Sequence, residues 1–412
     1  MKIEVNQTQL SNELETLADF SDTPKPSVTR IVYSEADRKA RAWVKQLCRG
    51  ADLEVREDAA GNTFARLSGT DPSLGAIATG SHIDALPHAG RYDGTVGVLG
   101  GLEAIRALQR GGFRGRRGVE VVMFTSEEPT RFGIGCLGSR LLSGSLSASA
   151  GDSLRDSEGR TLNQVRSDAG FGGALDTVQL KPGHYAGFVE LHIEQGPLLE
   201  KRGVPLGVVT AIAAPASLRI TVDGEGGHAG AVLMQNRHDA FSAACEIALA
   251  IESAARSTGS IDSVGTTGIC EVFPGAVNSI PSRVTLAVDV RDIDGTRRDG
   301  MLDQLTRAMA EIAARRGVRV TSEMINCDAP AACDAHVVKA LETSCEKHGF
   351  SFDRMVSRAY HDSLFMSRLA PTAMVFIPCR GGVSHRPDEY ASPEAIAQGT
   401  LVLAETLAHL AA

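Results

Sequence analysis

The chain has 412 residues, of which 43% are hydrophobic and 22% charged, a composition that excludes a disordered chain or a fibre. Lys and Arg number 42 against 50 Asp and Glu, so the net charge is −8 and neither nucleic acid nor an anionic membrane is an expected partner. No apolar run is long enough for a membrane span, and the N-terminus lacks the apolar core of a signal peptide. Eight scattered cysteines without a C-x-x-C motif predict reduced thiols in a cytoplasmic protein.

The first part of the chain is predicted to alternate helices with apolar strands. The first 60 residues are typical of helix, with a helix end near Gly50, and a second amphipathic helix is expected at 96–110. The strands predicted from near-continuous apolar runs lie at 75–84, 119–128, 184–196 and 371–382. Strands of this kind, separated by helices, indicate a mixed, mainly parallel sheet that is covered on both faces.

The middle of the chain has a different pattern. Residues 143–183 are rich in Ser, Gly and Asp and are predicted to form a surface excursion with one short helix. Farther on, apolar and polar residues alternate as they do in antiparallel strands with one buried face, and long helices accompany them. These elements are strands at 218–227 and 283–292 and helices near 236–256 and 296–315. The pattern therefore predicts an α+β domain at 213–327, inserted into a catalytic domain formed by 1–212 and 328–412.

Polar side chains cluster at the carboxyl ends of the predicted parallel strands. They are His82 and Asp84, Glu127 and Glu128, His192, His385 and, at the start of the helix after the first strand, Asp93. In open α/β sheets, ligands bind in the crevice outside these strand ends. We therefore expect three histidines and several carboxylates to meet in one place.

Imidazole and carboxylate ligands without cysteine favour Zn²⁺, Mn²⁺, Co²⁺ or Ni²⁺. Asp93 is placed to bridge two ions, and each ion would take one or two further ligands from His82, Glu128, His192 and His385. Asp84 lies two residues from His82, where its carboxylate could accept the second N–H of the imidazole. Two adjacent glutamates point to opposite sides, so one can bind metal while the other acts as a general base.

Six segments of the chain resemble the hydantoinase/carbamoylase family of dinuclear metal amidohydrolases, from about residue 30 to the C-terminus. They are GSHIDALPHAGRYDGTVGVLGGLEAI, TSEEPTRFGIGCLGSR, ELHIEQGP, GGHAG, PGAVNSIP and VDVRDID. That family includes N-carbamoyl-L-amino acid hydrolases and allantoate amidohydrolases, and it shares the fold of zinc aminopeptidases. The resemblance therefore implies a zinc-aminopeptidase-like α/β catalytic domain with an inserted domain for dimerisation and lid closure.

The resemblance also implies a role for each matching residue. His82, Asp93 and His192 would hold one metal, with Asp93 bridging, and Glu128 and His385 would complete the other. Glu127 would be the general base, and His228 would stabilise the oxyanion, in this family often across a dimer. The residues that would bind substrate are Gln195, Asn278, Arg291 and His361, although the family's Gly-His-Asp is Tyr360-His361-Asp362 here.

The implied reaction is hydrolysis of the ureido carbon–nitrogen bond of a small carboxylate, with release of ammonia and carbon dioxide. The segments EEPTRFGI, RAYHDSLFM and FIPCRGGVSHRPDEY favour ureidoglycolate as the substrate. N-carbamoyl-L-amino acids and allantoate are the alternatives, and Pro129-Thr130 replaces the Gly-Ser that is common in the carbamoylases. The resemblance favours two Mn²⁺ ions per subunit and a homodimer formed through the inserted domain.

Other activities fit the sequence less well. An aminopeptidase or dipeptidase of the same fold would need a site for a free α-amine, whereas Arg291 is suited to grip a carboxylate. The serine-esterase signature at 151–154 does not end a buried strand, and the glycines of the segment 94–100 do not form a dinucleotide-binding motif. A non-catalytic metal-binding or scaffold protein would have no use for Glu127.

Overall fold

The computed structural model describes residues 2–412, which divide into two compact units. The first unit runs to Thr210 and resumes with Cys333–Met355 and His361–Ala412, and the second contains Ala211–Ala332 and Val356–Tyr360. None of the helices in residues 2–412 is both long and apolar enough to cross a bilayer.

The first unit contains most of the helices and strands. Before the second unit they are α1 (Gln7–Asp19), β1 (Val28–Arg30), α2 (Glu35–Gly50), β2 (Glu54–Glu57), β3 (Thr63–Leu67), β4 (Ala76–His82), β5 (Ala85–Ala89), α3 (Thr95–Arg110), β6 (Val119–Phe124), α4 (Leu137–Ser143), α5 (Ala148–Ser153), α6 (Leu162–Asp168), β7 (Tyr185–Ile193), α7 (Leu198–Arg202) and β8 (Leu206–Ile212). The helix end predicted near Gly50 and the strands predicted around β4, β6 and β7 are confirmed.

The second unit is an α+β arrangement. Its elements are β9 (Ala214–Asp223), β10 (Gly227–His228), α8 (Ala240–Ser257), β11 (Val264–Phe273), β12 (Ser279–Ile280), β13 (Arg283–Asp292), α9 (Gly295–Arg316), β14 (Arg319–Cys327) and β15 (Ala331–Ala332). Four of these strands form an antiparallel sheet in the order β11-β13-β9-β14, and β10 pairs with β12. Alternate residues of β13 are buried, as the sequence predicted, and they pack with α8 and α9 into one apolar core.

The remaining elements return to the first unit. They are α10 (Ala335–Lys347), β16 (Phe352–Ser357), α11 (Asp362–Met366), β17 (Thr372–Ile377) and α12 (Pro393–Ala411). The main sheet has the strand order β8-β17-β7-β4-β6-β3-β2. The four central strands β17, β7, β4 and β6 are parallel, and the flanking strands are antiparallel. The carboxyl ends of the central strands therefore meet at one edge.

The segment 143–183 is more structured than the sequence predicted. It contains α5, α6 and a 3₁₀ turn at Leu175–Thr177 instead of one short helix. Leu162, Val165, Leu175 and Val178 are buried in the core on one side of the main sheet. Because these apolar residues are separated by polar ones and the helices are short, no periodic pattern was visible in the sequence.

Candidate metal centre

Two groups of possible metal ligands lie at the carboxyl edge of the main sheet. His82, Asp93 and His192 form the first group, and Asp93, Glu128 and His385 form the second. Within each group the ligand atoms all lie within 4.8 Å of one another. The two groups share Asp93, which directly precedes the Gly94 N-cap of α3. The structure thus brings together all five residues that the sequence predicted as metal ligands.

The two carboxylate oxygens of Asp93 face different histidines. Oδ1 lies 3.1 Å from Nε2 of His192 and 3.7 Å from Nε2 of His82. Oδ2 lies 3.1 Å from Nε2 of His385, and that nitrogen lies 3.6 Å from Oε1 of Glu128. A carboxylate with one oxygen in each ligand group has the arrangement that a bridge between two ions requires.

Backbone carbonyls set the tautomers of the two strand histidines. Nδ1 of His82 lies 3.0 Å from the carbonyl oxygen of Asp84, and Nδ1 of His192 lies 2.8 Å from that of Ile193. Because a carbonyl oxygen only accepts hydrogen bonds, each Nδ1 carries the proton in the neutral ring. Each Nε2 therefore faces the Asp93 carboxylate and, in the neutral ring, is the nitrogen that can bind a metal.

The carboxylate of Asp84 has a different partner from the one that the sequence suggested. It lies 3.7 Å from the His82 ring, and the carbonyl of the same residue is the nearer acceptor. Its two oxygens instead accept the N–H groups of Glu127 at 3.1 Å and Glu128 at 3.0 Å. Asp84 therefore holds the turn that carries both glutamates, and its burial raises its pKa to about 7.

The adjacent glutamates face different histidines. Oε2 of Glu127 lies 3.6 Å from Nε2 of His82, whereas Glu128 faces His385. The other carboxylate oxygen of Glu127 lies 3.2 Å from Sγ of Cys136. Ser126, the residue before the pair, has a φ of 57°, a conformation that is strained in a residue other than glycine.

The electrostatics of the cluster fit a cation. Burial raises the pKa of Glu127 and Glu128 well above their ordinary values, and neighbouring carboxylates raise them further. Burial also lowers the pKa of His82 to about 4, so this ring is neutral. At His192 the hydrogen bond and charge of Asp93 outweigh burial and raise the pKa to about 9. Crowded, buried carboxylates beside imidazole nitrogens are a donor set that a divalent cation stabilises.

Gln195 and His361, both predicted to bind substrate, also lie in this cluster. Nε2 of Gln195 donates to Oδ2 of Asp93 at 2.7 Å, and the residue has a φ of 55°. The ring of His361 lies 4.4 Å, centroid to centroid, from that of His192. Glu190, His192 and His361 form a further group of possible ligand atoms, but both oxygens of Glu190 already accept hydroxyl protons from Ser81 and Ser363.

The other residues predicted to bind substrate or oxyanion lie in the second unit. His228 pairs with Ser279 between the short strands β10 and β12, next to Asn278, whose carbonyl accepts the N–H of Ala229 at 2.9 Å. Nδ1 of His228 accepts the N–H of Gly230 at 3.1 Å, so the proton of the neutral ring is on Nε2. This tautomer makes Nε2 a hydrogen-bond donor, as an oxyanion contact requires.

Arg291 is held by its own strand. Its Nε and one Nη donate to the two carboxylate oxygens of Asp289 at 2.6 and 2.9 Å, and its guanidinium carbon lies 5.2 Å from the centre of the Tyr360 ring. The predicted shared strand face of Arg291 and Asp289 is confirmed. Asp289 and Tyr360 therefore orient the guanidinium group.

Sequence reasoning missed several side chains that contact the cluster. Ser384 lies 2.8 Å from Oδ2 of Asp93, and Glu389 accepts the Asp93 N–H at 3.1 Å. Cys136 contacts Glu127, and the buried carboxylate of Asp362 accepts a hydroxyl proton from Ser139. The sequence signal that could have identified Ser384 and Glu389 is their position on either side of His385 in the segment FIPCRGGVSHRPDEY.

Comparison with known proteins relates the chain to a family of hydrolases. Residues 78–409 match the model of peptidase family M20/M25/M40. The chain is 51% identical to a ureidoglycolate hydrolase of Oryza sativa subsp. japonica, over 98% of this chain and 85% of that protein. It is 38% identical to an N-carbamoyl-L-amino acid amidohydrolase of Geobacillus stearothermophilus, over 98% of each chain. A crystal structure of AtUAH in complex with (S)-hydroxyglycine has a TM-score of 0.92 and 49% identity, over 99% of this chain and 98% of that one.

Proposed function

Because this chain belongs to peptidase family M20/M25/M40, we propose that it is a metal-dependent hydrolase of ureido carbon–nitrogen bonds and that its substrate is ureidoglycolate. The resemblance to the hydantoinase/carbamoylase family that the sequence indicated is confirmed by relatives at 51% and 38% identity. The products would be ammonia, carbon dioxide and the freed amine, which for ureidoglycolate breaks down to glyoxylate. The (S)-hydroxyglycine complex of AtUAH supports this substrate class.

The observation that carries the proposal is the division of Asp93 between two ligand groups. Two divalent cations held there would polarise a carbonyl oxygen and acidify a water molecule. We propose Mn²⁺ as the native ion, on the family resemblance alone, since the imidazole and carboxylate ligands also suit Zn²⁺, Co²⁺ and Ni²⁺.

Glu127 is the residue best placed to move protons. It is buried, it has a raised pKa, and its Oε2 is directed at the ligand cluster while Cys136 contacts Oε1. A carboxylate with a raised pKa can take a proton from water and return it to the leaving nitrogen near neutral pH. Glu128, the neighbouring residue, faces His385 and is free to act as a ligand.

The proposed substrate contacts combine a carboxylate grip with neutral donors. Arg291 would bind the substrate carboxylate, because its guanidinium is already oriented by Asp289. The Nε2–H of His228 would stabilise the oxyanion, and the amide of Asn278 would bind substrate. Gln195 and His361 would contact the substrate from beside the metal ligands.

We further propose a homodimer formed through the second unit. Strand β11 is at the edge of its sheet, and α8 beside it exposes apolar side chains. Leu249 is 65% exposed, and Phe241 of the same helix is also exposed, as are Ile269 and Phe273 of β11. An unpaired edge strand next to an apolar helix face is suited to pair with a second copy. In this proposal the first unit carries out catalysis, and the second unit serves for dimerisation and lid closure.

A reducing, cytoplasmic location fits the same protein. All eight cysteines are free, and four of them are buried. Reduced thiols that behave as small apolar core residues are typical of reducing compartments.

The decisive assay is ammonia release from a panel of ureido acids. Protein stripped with a chelator is reloaded with Mn²⁺, Zn²⁺, Co²⁺ or Ni²⁺ and given ureidoglycolate, allantoate, N-carbamoyl-L-amino acids and dipeptides. We expect metal-dependent release that is fastest with ureidoglycolate. Faster turnover of an N-carbamoyl-L-amino acid would move the assignment to that substrate, and activity on dipeptides alone would refute the proposed reaction.

A further inference from the structure

The side chain of Glu389 joins two loops of the metal centre. Its Oε1 accepts the N–H of Tyr92 at 2.7 Å and that of Asp93 at 3.1 Å. Its Oε2 accepts the hydroxyl proton of Ser384 at 2.8 Å. One carboxylate therefore holds the backbone of the bridging ligand Asp93 and the residue next to another ligand, His385.

The loop before Asp93 is shaped around this carboxylate. Glu389 is only 4% exposed, although its own segment is a surface loop. A Cβ atom at Gly90 would lie 2.3 Å from Oε1 of Glu389 and 2.4 Å from its Cβ and Cδ. Any side chain at residue 90 would displace Glu389. The glycine therefore allows the loop to approach closely enough for the Glu389 carboxylate to be buried against it.

Ser384 connects Glu389 to the metal ligands a second time. Its Oγ lies 2.8 Å from Oε2 of Glu389 and also 2.8 Å from Oδ2 of Asp93. A hydroxyl group has one proton, so it can donate to only one of these carboxylates at a time. A cation held by Asp93 would leave this proton to Glu389, whose carboxylate would then connect Ser384 with the N–H groups of Tyr92 and Asp93.

The second ligand group needs such a link more than the first. His82 and His192 lie on buried strands whose positions the sheet fixes. His385 lies in a loop with a φ of 59°, and its side chain is 47% exposed. Packing therefore contributes less to the position of His385 than it does to the strand histidines.

We propose that Glu389 is a positioning residue that holds Asp93 and His385 at the separation required to bind a divalent cation together with Glu128. This inference rests on the proposed function, because it assumes that Asp93 bridges two ions. Glu389 itself touches neither substrate nor metal in this proposal. Its role is the relative placement of the loops at 90–93 and 384–385.

The experiment compares the binding of Mn²⁺ alone to stripped full-length variants, measured by isothermal titration and by the electron paramagnetic resonance signal of paired Mn²⁺ ions. In Glu389→Ala we expect one of two binding equivalents to weaken about 10- to 100-fold, as loss of outer ligand support does at other metal sites. Glu389→Gln should retain more affinity, because its amide oxygen can still accept both N–H groups. The matched control is Asp388→Asn, since Asp388 is exposed and its carboxylate pairs with Arg386 of the same loop; this variant should bind Mn²⁺ like the parent protein.

Ser384→Ala keeps the contacts of Glu389 to the N–H groups of Tyr92 and Asp93, but it removes the hydroxyl that contacts both Glu389 and Oδ2 of Asp93, so the same equivalent should weaken in it. This variant decides the matter if Glu389→Ala does not fold. Parental affinity for both equivalents in folded Glu389→Ala or Ser384→Ala would overturn the inference, and so would a parent protein that binds no Mn²⁺. A parent protein that binds two ions but hydrolyses no ureido acid would refute the proposed function and leave the positioning role standing.

Discussion

Replacing Gly94 with alanine should damage the metal centre far more than it damages the fold. Gly94 is the N-cap of α3 with a φ of 67°, and it directly follows Asp93. A Cβ atom there would lie 2.4 Å from Nε2 of His82 and 2.5 Å from Cδ2 and Cε1 of the same ring. Non-bonded carbon contacts need about 3.5 Å, so the imidazole must move by about 1 Å. His82 is buried, and its Nδ1 is bound to the carbonyl of Asp84, so the ring cannot move without losing that hydrogen bond.

Backbone strain at residue 94 and displacement of the His82 ring are expected to have different effects, the first on stability and the second on activity. A left-handed conformation costs an alanine about 1–2 kcal/mol relative to glycine, and the cost is higher at Gly94, where φ is 67° and ψ is −42°, outside the left-handed helical region. A displacement of about 1 Å in a catalytic group lowers turnover by about 100-fold. Gly112→Ala is the matched control, because Gly112 has a φ of 71° just beyond the other end of α3, and a Cβ atom there would meet no other atom within 4 Å. Gly112→Ala should lose only the free energy of unfolding that the positive φ costs, about 1–2 kcal/mol, and keep full activity.

The assay has three measurements on both variants: free energy of unfolding in urea, bound metal by elemental analysis, and kcat/KM for ureidoglycolate. We expect a larger loss of stability in Gly94→Ala, reduced metal content only in that variant, and a drop in kcat/KM of about 100-fold only in that variant. Parental metal content and activity in Gly94→Ala would refute the argument that His82 holds a metal in this position. Equal loss of activity in both variants would instead attribute the effect to strain in α3.

The remaining predictions concern the base, the carboxylate grip, the cations and the dimer. Glu127→Gln should keep its metal and lose about 100-fold or more in kcat, and near-normal turnover would remove Glu127 from the role of base. Arg291→Lys should raise KM about tenfold or more with unchanged metal content, because lysine cannot form the two-pronged contact, whereas Arg219→Lys on the same sheet should leave KM unchanged. Mn²⁺ at 100 times its dissociation constant should raise the unfolding free energy of the stripped protein by about 2.7 kcal/mol. An unchanged unfolding free energy would contradict a metal site that exists only in the folded protein. Leu249→Glu should shift the protein from dimer to monomer in sedimentation experiments, and a dimer of parental stability would exclude this face of α8 from the interface.

The sequence was sufficient to predict where the candidate ligands His82 and His192 lie, because both stand at strand ends. His82 is the last residue of β4, His192 is the penultimate residue of β7, and the central strands are parallel. Once the apolar runs are identified as neighbouring parallel strands, the side chains that follow them must meet at one edge. Hydrophobic patterning therefore determines both the fold of the first unit and the location of its candidate site.

The contacts around the ligands could not be predicted in the same way. Whether Asp84 offers His82 its carboxylate or its carbonyl depends on the backbone path after β4, and no residue pattern encodes that path. The left-handed conformations of Ser126, Gln195 and His385 are equally invisible, because sequence reasoning assigns such conformations to glycine first. The contact of Tyr360 with Arg291 could not be predicted either. Tyr360 belongs to a short segment, Val356–Tyr360, that is part of the second unit although it lies far from the rest of that unit in the chain.

The two halves of the candidate centre differ in the source of their geometry. In the first half, buried strands and backbone carbonyls fix His82 and His192, so the sheet itself sets the separation of the ligands. In the second half, Glu128 depends on a turn held by Asp84, and His385 lies in a loop linked to Asp93 through Ser384. We therefore expect side chains outside the ligand set to contribute more to the metal affinity of the second half. Substitutions in that half should change metal binding without changing the core that folds the domain, because the ligands there are held by polar contacts rather than by buried apolar surface.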